Sequence, residues 1–598
     1  MPRNSGKTGS RAKGAGMPFL PRRSRHVGTA GMMAPVLVTL ALIYMIPVVG
    51  LFIKSFQDRN GFTLDSYLNQ LTSPAFLKLL VETLELSVGV TILCLLFGYP
   101  VAYTISRVNK RSAALLLLLI SLPYLTSVLI RTYAWIVVLG PNGVVNQFLM
   151  SVGLTSKPVQ LVFNQIGVYT GMVQIHLPLM IFPVYAAMTK IDRSLTAAAV
   201  SLGSSPASAF WHVFAPLTYP GIVGGSTLVF LSCLGFYTTP ALLGGTADYM
   251  LAQGITLRVL RLADLAGAAT QATILLTIVL AVFVLLRKRF AASLDDEASA
   301  PAPLKRGDGA SSEPLLYGLQ RRFSTILYRF GVIVSQVRNY VLWAVTAAVM
   351  FYLIVPFLVV VPLSFSSAAY LTFPPPGYSL RWYESFFSNT KWLEATWFSL
   401  RVSVMAAIAS LAVGLPAAFA LARRQFALKL PAYLLIISPM VVPQIVIAIA
   451  LYLIVAPHRM VGTEHVFLLA YMLLGIPYVV VVAVAGLQRF DTSLESAAAS
   501  LGARPAVVLF TITLPLLMPS IVSAFLFAFI AAFDDVVFGL FLSGRDAIPL
   551  PMRMWENIRQ EIDPQISVVA SILLFLVIVG YLAHNTLGRL RWSRVNGR

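Results

Sequence analysis

Twelve separate stretches of about twenty apolar residues punctuate this chain, and that many cannot be buried in the core of a water-soluble fold. Six fall before residue 290, at roughly 33–53, 86–106, 112–139, 166–189, 216–243 and 267–286. Six more follow, at roughly 341–364, 396–421, 430–456, 466–487, 515–541 and 566–587. We number these spans 1 to 12. Composition agrees: of 598 residues, 58% are hydrophobic and only 11% charged. Soluble domains carry about 25% charged residues, so a soluble enzyme, a disordered chain and a fibrous protein are excluded. The sequence predicts an all-α integral membrane protein.

The formal net charge of +21 would suggest nucleic acid in a soluble protein. Its distribution says otherwise. With the N-terminus placed inside, the tails, the even-numbered loops and the central linker hold 30 Lys and Arg against 8 Asp and Glu. The opposite side holds 12 against 13. Basic residues gather on the cytoplasmic side of membrane proteins, so both termini are expected in the cytoplasm and no nucleic-acid partner is expected. Span 1 follows a basic tail and shows no small-residue cleavage site, which reads as a retained helix and not a signal peptide. Cys94 and Cys233 both lie in apolar runs and are expected to be buried thiols, neither a disulfide framework nor a metal site.

The two sets of six spans are copies. Ile191-Asp-Arg-Ser-Leu195 corresponds to Phe490-Asp-Thr-Ser-Leu494, and Ser201-Leu-Gly203 to Ser500-Leu-Gly502, 299 residues apart. Upstream, Gly98-Tyr-Pro100 corresponds to Gly414-Leu-Pro416, and Pro123 to Pro439, 316 apart. The 17 extra residues of the first copy are expected around 140–165. An even number of spans per copy makes the repeat parallel, related by an axis along the membrane normal. The expected organisation is a tail at 1–32, a first six-span domain at 33–287, a polar linker at 288–340, a second six-span domain at 341–588 and a tail at 589–598.

The loops after spans 4 and 10 carry the most specific pattern. The first reads Thr196-Ala197-Ala-Ala-Val-Ser-Leu-Gly203 and reaches Pro216 thirteen residues later; the second reads Glu495-Ser496-Ala-Ala-Ala-Ser-Leu-Gly502 and reaches Pro515 at the same spacing. Alanine favours a short helix and glycine a break behind it, a shape suited to docking into a partner. The pattern resembles the EAA loop of ABC importer permeases, once in each half. The family's acidic residue falls at Ala197 in the first copy and at Ser496 in the second, with Glu495 just before. The resemblance implies a type I importer permease fold, with ATPase subunits coupled through Ala197, Gly203, Pro216, Glu495, Ser496, Gly502 and Pro515. Two copies of an ABC ATPase subunit and a periplasmic or lipid-anchored binding protein are the implied partners, in a bacterial inner membrane.

Further segments narrow the class. Leu122-Pro-Tyr-Leu-Thr-Ser-Val-Leu-Ile-Arg131-Thr-Tyr-Ala-Trp135 and Pro240-Ala-Leu-Leu-Gly-Gly245 are similar to the first permease subunit of spermidine/putrescine importers. Phe373-Pro-Pro-Pro-Gly-Tyr-Ser-Leu-Arg-Trp-Tyr383, Ser438-Pro-Met-Val-Val-Pro-Gln-Ile445 and Phe533-Asp-Asp-Val-Val537 resemble the second. The chain looks like those two subunits fused head to tail, with a small cationic solute as substrate; relatives for ferric iron or phosphonate share much of the architecture. The chain is expected to be a transport subunit and not an enzyme, with no catalytic residue or metal site. Gly6-Lys7-Thr8 ends like a phosphate-binding loop, but Met1 stands where its first glycine belongs. ATP and Mg are therefore expected on the partner subunits, and this chain holds no cofactor of its own. A twelve-span secondary transporter is the rival reading, and it predicts no paired EAA-like loops.

Asp534 and Asp535 are the sharpest charges inside a span, because a carboxylate at mid-membrane costs about 2.5–3.5 kcal/mol. On a continuous helix from Pro515, Asp534 would lie roughly 25–30 Å along the axis, toward the outer part of the bilayer. One Asp is expected to line the substrate path, with Tyr133 and Trp135 offering faces to a cation. The structural alternative pairs an Asp with a broken helix, Arg131 or Arg401. Arg131 is otherwise expected to reach toward the outer interface, and His176 to be a buried, hydrogen-bonded residue.

Overall fold

The computed structural model describes residues 22–58, 61–124, 126–245, 248–295, 314–560 and 563–576. The Gly6-Lys7-Thr8 segment, the middle of the 288–340 linker and the second half of span 12 lie outside them. Among the described residues, nine helices are long and apolar enough to cross a membrane, or eleven if each of two bent pairs is one span. The described part of span 12 is the apolar helix Gln565–Leu576. Helix dominates throughout; a two-stranded antiparallel ribbon, Gln57–Asp58 with Gly61–Phe62, is a small departure from the all-α expectation.

Each half is built on three packed spans. In the first they are Pro74–Arg107, Gln165–Lys190 and the Pro206–Leu234 pair; in the second, Thr390–Arg423, Glu464–Gln488 and Pro505–Phe533. Small residues let the axes approach, as is usual where lipid offers no hydrophobic drive between helices. A Cβ on Gly98 would lie 3.1 Å from Met180, and one on its counterpart Gly414 would lie 2.8 Å from Val479. The repeat extends to single hydrogen bonds. Leu251 N–H donates to Thr83 Oγ1 at 2.8 Å, and Leu550 N–H donates to Ser399 Oγ at 2.7 Å, each caught by a hydroxyl at the matching position.

The halves exchange their first spans. Span 1, Gly28–Ser55, packs on Thr390–Arg423 of the other half, where Arg424 Nη1 donates to Thr29 Oγ1 at 3.0 Å. Span 7, Asn339–Ser364, packs on Pro74–Arg107, and its Tyr352 ring meets Trp135 at 5.2 Å.

Four of the spans are broken, among them spans 5 and 11, which Pro and Gly interrupt in the sequence. Span 9 divides into Lys429–Val441 and Gln444–Val455, bent by 96° at Val442-Pro443. Span 3 divides likewise into Lys110–Tyr124 and Val128–Leu139. Span 5 bends by 57° at Thr218 and stops at Leu234, before a separate Thr238–Leu243 helix; span 11 stops at Phe533, before Val537–Leu542. The reason is local. Proline removes an N–H from the ladder, and the 234–238 and 533–537 segments place Gly235 and the carboxylates of Asp534 and Asp535 where a helix would need to continue. Apolar composition alone could not reveal these breaks, since the residues on either side remain hydrophobic.

Candidate translocation site and coupling loops

A broken helix leaves backbone N–H groups without partners at the start of its second piece, and in a membrane these must be satisfied from within. The two Asp residues do this. Asp534 Oδ2 accepts from Val128 N–H at 3.1 Å, reaching from the second half to the head of the Val128–Leu139 helix in the first. Asp535 Oδ2 accepts from Phe538 N–H at 2.9 Å, at the head of its own Val537–Leu542 helix. A carboxylate is favoured at such a helix start by the aligned peptide dipoles. Each Asp uses one oxygen in this way. Oδ1 of both is buried with no hydrogen-bond partner among the described residues. The continuous-helix placement of Asp534 is thereby corrected: it terminates one helix and caps another across the interface between the halves.

The equivalent contact on the other side of the pseudo-twofold is apolar. Gly235, the counterpart of Asp534, lies against Pro443, the counterpart of Ser127, and a Cβ on Gly235 would sit 2.2 Å from Pro443 Cβ. Asp535 has Phe236 as its counterpart, whose ring meets His176 edge-on at 4.9 Å. His176 is buried, with Nδ1 2.8 Å from Met172 O and Nε2 3.1 Å from Ser232 Oγ. Arg131 is only 2% exposed, so it does not reach the outer interface. Arg401 pairs instead with Glu464, at 2.6 Å.

Tyr133 and Trp135 occupy the helix that Asp534 caps, yet both side chains are engaged elsewhere. Tyr133 is fully buried; its hydroxyl donates to Asp563 O at 2.9 Å and accepts from Ser567 Oγ at 3.3 Å. Trp135 packs on Tyr352. In this conformation both rings are buried and neither presents an exposed face. The aromatic residues at the break of span 5 were not anticipated: Tyr237 packs on Trp555 with centroids 5.4 Å apart, and Arg559 lies over Trp555.

The two loops share one design. Asp192 Oδ1 caps Ser194 N–H and Asp491 Oδ1 caps Ser493 N–H, each at 2.9 Å. Hydrogen bonds from these serines hold both carboxyls below the usual carboxylate range. The short helices Arg193–Ser201 and Ser493–Ser500 follow and contain Ala197 and Ser496. Each ends on a glycine of positive φ, +93° at Gly203 and +86° at Gly502, with nothing within 4 Å of an added Cβ. It is backbone conformation that calls for glycine there, since other residues rarely adopt it. The preceding Leu202 and Leu501 are each 89% exposed. A single exposed leucine would be unremarkable. Two at matched positions on protruding helix ends form a repeated apolar tip. Beyond each glycine a short helix runs through a π-turn, Phe210–Phe214 or Leu509–Thr513, into Pro216 or Pro515.

The sequence is similar to known proteins. Residues 410–592 match the family described as binding-protein-dependent transport system inner membrane component. The spermidine/putrescine transport system permease protein PotB of Salmonella typhimurium is 33% identical over 268 residues, covering 44% of this chain and 92% of that protein. The chain belongs to this permease family. PotB of Escherichia coli is 33% identical over 263 residues, covering 43% of this chain and 94% of that protein. The putrescine transport system permease protein PotI of Escherichia coli is 34% identical over 252 residues, 41% of this chain and 89% of that protein. A chain of a crystallised bacterial alginate ABC transporter is similar at 19% identity and a TM-score of 0.39, covering 45% of this chain and 96% of that one. Each permease relative is spanned almost end to end by less than half of this chain, as expected of two permease units in one polypeptide. The protein is thus a multi-pass inner-membrane transport subunit of the ABC importer class.

Within this permease the two loops are fastened differently. Arg423 Nη1 donates to both oxygens of Glu495, at 2.8 and 2.6 Å, and Thr513 Oγ1 donates to the same carboxylate. The acid one residue ahead of the family position therefore ties the loop to the end of span 8. In the first half, Thr196 replaces Glu495, and the tie is a hydrogen bond from Arg193 Nη2 to Ser106 O at 2.6 Å. Sequence reading singled out Glu495 but not Arg423; the 316-residue offset, which pairs Arg107 with Arg423, was the available signal.

Proposed function

We propose that this permease supplies both transmembrane halves of an ATP-driven importer of polyamines of the spermidine/putrescine type. Its unit boundaries follow the sequence division at 33–287 and 341–588. In this reading both termini and the Gly203 and Gly502 loops face the cytoplasm. A binding protein delivers substrate to the opposite face, and two ATPase subunits receive the tips around Leu202 and Leu501. ATP binding draws the subunits together, the loops carry that movement through Pro216 and Pro515 into spans 5 and 11, and the pathway alternates its opening. ATP and Mg reside on the ATPase subunits.

The observation that carries the substrate class is the half-used carboxylate of Asp534 where the two halves meet. A protonated amine is the natural partner for an anionic oxygen in a low-dielectric setting. The similarity to PotB and PotI points the same way. The test is uptake of labelled spermidine and putrescine by cells lacking their own polyamine importers and supplied with this permease, its ATPase and its binding protein. ATP-dependent accumulation is expected. Absence of uptake, with all components present in the membrane, would reject the polyamine reading and direct the search to ferric iron, phosphonate and other small solutes.

A further inference from the structure

The last turn of span 2 carries a guanidinium whose counterpart is paired with a carboxylate, while it has none among the described residues. Arg107 and Arg423 are equivalent, and each lies over an equivalent aromatic ring: Arg107 over Tyr103 at 4.6 Å, Arg423 over Phe419 at 5.4 Å. Arg423 Nη1 then donates to both carboxylate oxygens of Glu495. The residue equivalent to Glu495 is Thr196, whose hydroxyl turns back to Arg193 O at 3.1 Å. Among the described residues, Arg107 has no carboxylate within ion-pair distance. It opens instead onto a cavity of about 270 Å³ lined also by Tyr103, Thr104, Asn339 and Trp343.

The position of this cavity matters as much as its chemistry. Arg107 is the last residue of the Pro74–Arg107 helix, and Asn339 lies within the Pro314–Ser364 helix just before the apolar stretch that begins near residue 341. The cleft therefore lies at the membrane boundary, on the loop face, where Arg193 reaches Ser106 O. Trp343 and Tyr340, on the same end of span 7, are exposed, as amphipathic aromatics are at the headgroup level. Basic pockets between spans at this level are suited to lipid headgroups. A guanidinium matches phosphate oxygens with a planar pair of N–H donors just as it matches a carboxylate.

We propose that the cleft at Arg107 binds a phosphate group, supplied by the headgroup of an anionic phospholipid, which takes the place that the Glu495 carboxylate occupies in the other half. The bound lipid fastens the end of span 2, next to the first loop, as an internal ion pair fastens span 8 next to the second.

The test is lipid retention by the purified full-length chain in detergent, read by native mass spectrometry during titration with phosphatidylglycerol, with diacylglycerol, or with inorganic phosphate. Saturable retention of phosphatidylglycerol, but not of diacylglycerol, is expected. Arg107→Gln should weaken it by about tenfold, the usual scale of a charge-assisted pair, while Arg423→Gln leaves it unchanged. Should Arg107→Gln fail to fold, Thr196→Glu provides an independent test, because a carboxylate placed as Glu495 is placed should occupy the guanidinium and displace the lipid to a similar extent. Equal phosphatidylglycerol retention by the wild type and a folded variant, or equal retention of diacylglycerol, overturns the site. Saturable, Arg107-dependent occupancy by inorganic phosphate in place of the lipid overturns the assignment to a headgroup.

Discussion

Spans 2 and 8 are copies of one helix, 34 residues each, and the contrast between them shows how a duplicated membrane protein becomes asymmetric. Span 8 is tied at two points by ion pairs, Arg401 to Glu464 and, at the helix end, Arg423 to Glu495. Span 2 has Glu85 and Arg107 at the same two positions, and the residues equivalent to the two acids are Gln165 and Thr196. The packing between these points was kept, down to Gly98 and Gly414. The fastening was not. The central breaks diverge in the same manner: Asp534 against Ser127 and Val128 on one side, Gly235 against Pro443 on the other. Packing tolerates little change because volume is conserved in a dense interior, whereas a polar contact can be replaced by any group that satisfies the same atoms.

The largest effect is expected at the apolar break. Gly235→Ala forces a methyl group onto Pro443 and should cost about 1–3 kcal/mol of stability, seen as a lower thermal midpoint of the purified permease. Pro443→Ser, which copies the other side, should restore most of it. Failure of that rescue would mean that the two breaks are not interchangeable.

Asp534→Asn sharpens the comparison from the polar side. Asparagine can still accept from Val128 N–H, so folding should survive, but the charge is gone. Polyamine uptake is expected to fall by roughly tenfold or more, the scale of a charge-assisted contact, with normal amounts of permease in the membrane. Unchanged uptake in that variant would leave Asp534 a helix cap and nothing else.

Arg423→Gln removes the ion pair with Glu495. Because both side chains are partly exposed, the loss should be modest, about 1 kcal/mol or less, and confined to faster amide exchange in the 493–503 helix and turn. Arg107→Gln in the same assay should leave the 193–204 loop closer to unchanged, since Arg193 and Ser106 provide that tie.

The smallest effect is a pH dependence shared by both loops. Asp192 and Asp491 have lowered pKa values through their serine hydrogen bonds. A depressed folded-state value gives stabilisation that is full above the unfolded value, about 3.9, and lost as pH falls through the folded one. Amide protection of the two short helices, corrected for intrinsic exchange, should therefore be flat from pH 8 to 5 and decline only below about pH 4. A decline already present at pH 6 would show that other groups hold the loops.

Much of this was legible in the residues. The spans, the repeat, the matched Gly203 and Gly502 and the acid at Glu495 follow from local patterns, because burying about twenty apolar residues or turning the chain through positive φ leaves a mark in sequence order. The breaks in spans 3, 5, 9 and 11 were less legible, since Pro and Gly are common in membrane helices and a break leaves composition unchanged.

What the tertiary structure alone decided is which distant groups meet. A separation of 406 positions between Val128 and Asp534, like that of 72 between Arg423 and Glu495, hides each pair from any window of sequence. Sequence by itself determined a duplicated permease with two projecting loops, because hydropathy and backbone preference act over short distances. Three-dimensional packing decided that Asp534 closes one half's broken helix from the other, that Tyr133 is committed to Asp563 and Ser567, and that Arg107 faces a cavity where Arg423 faces an acid. Hydrogen bonds and charge pairs act over a few ångströms of space, whatever the length of chain between their partners.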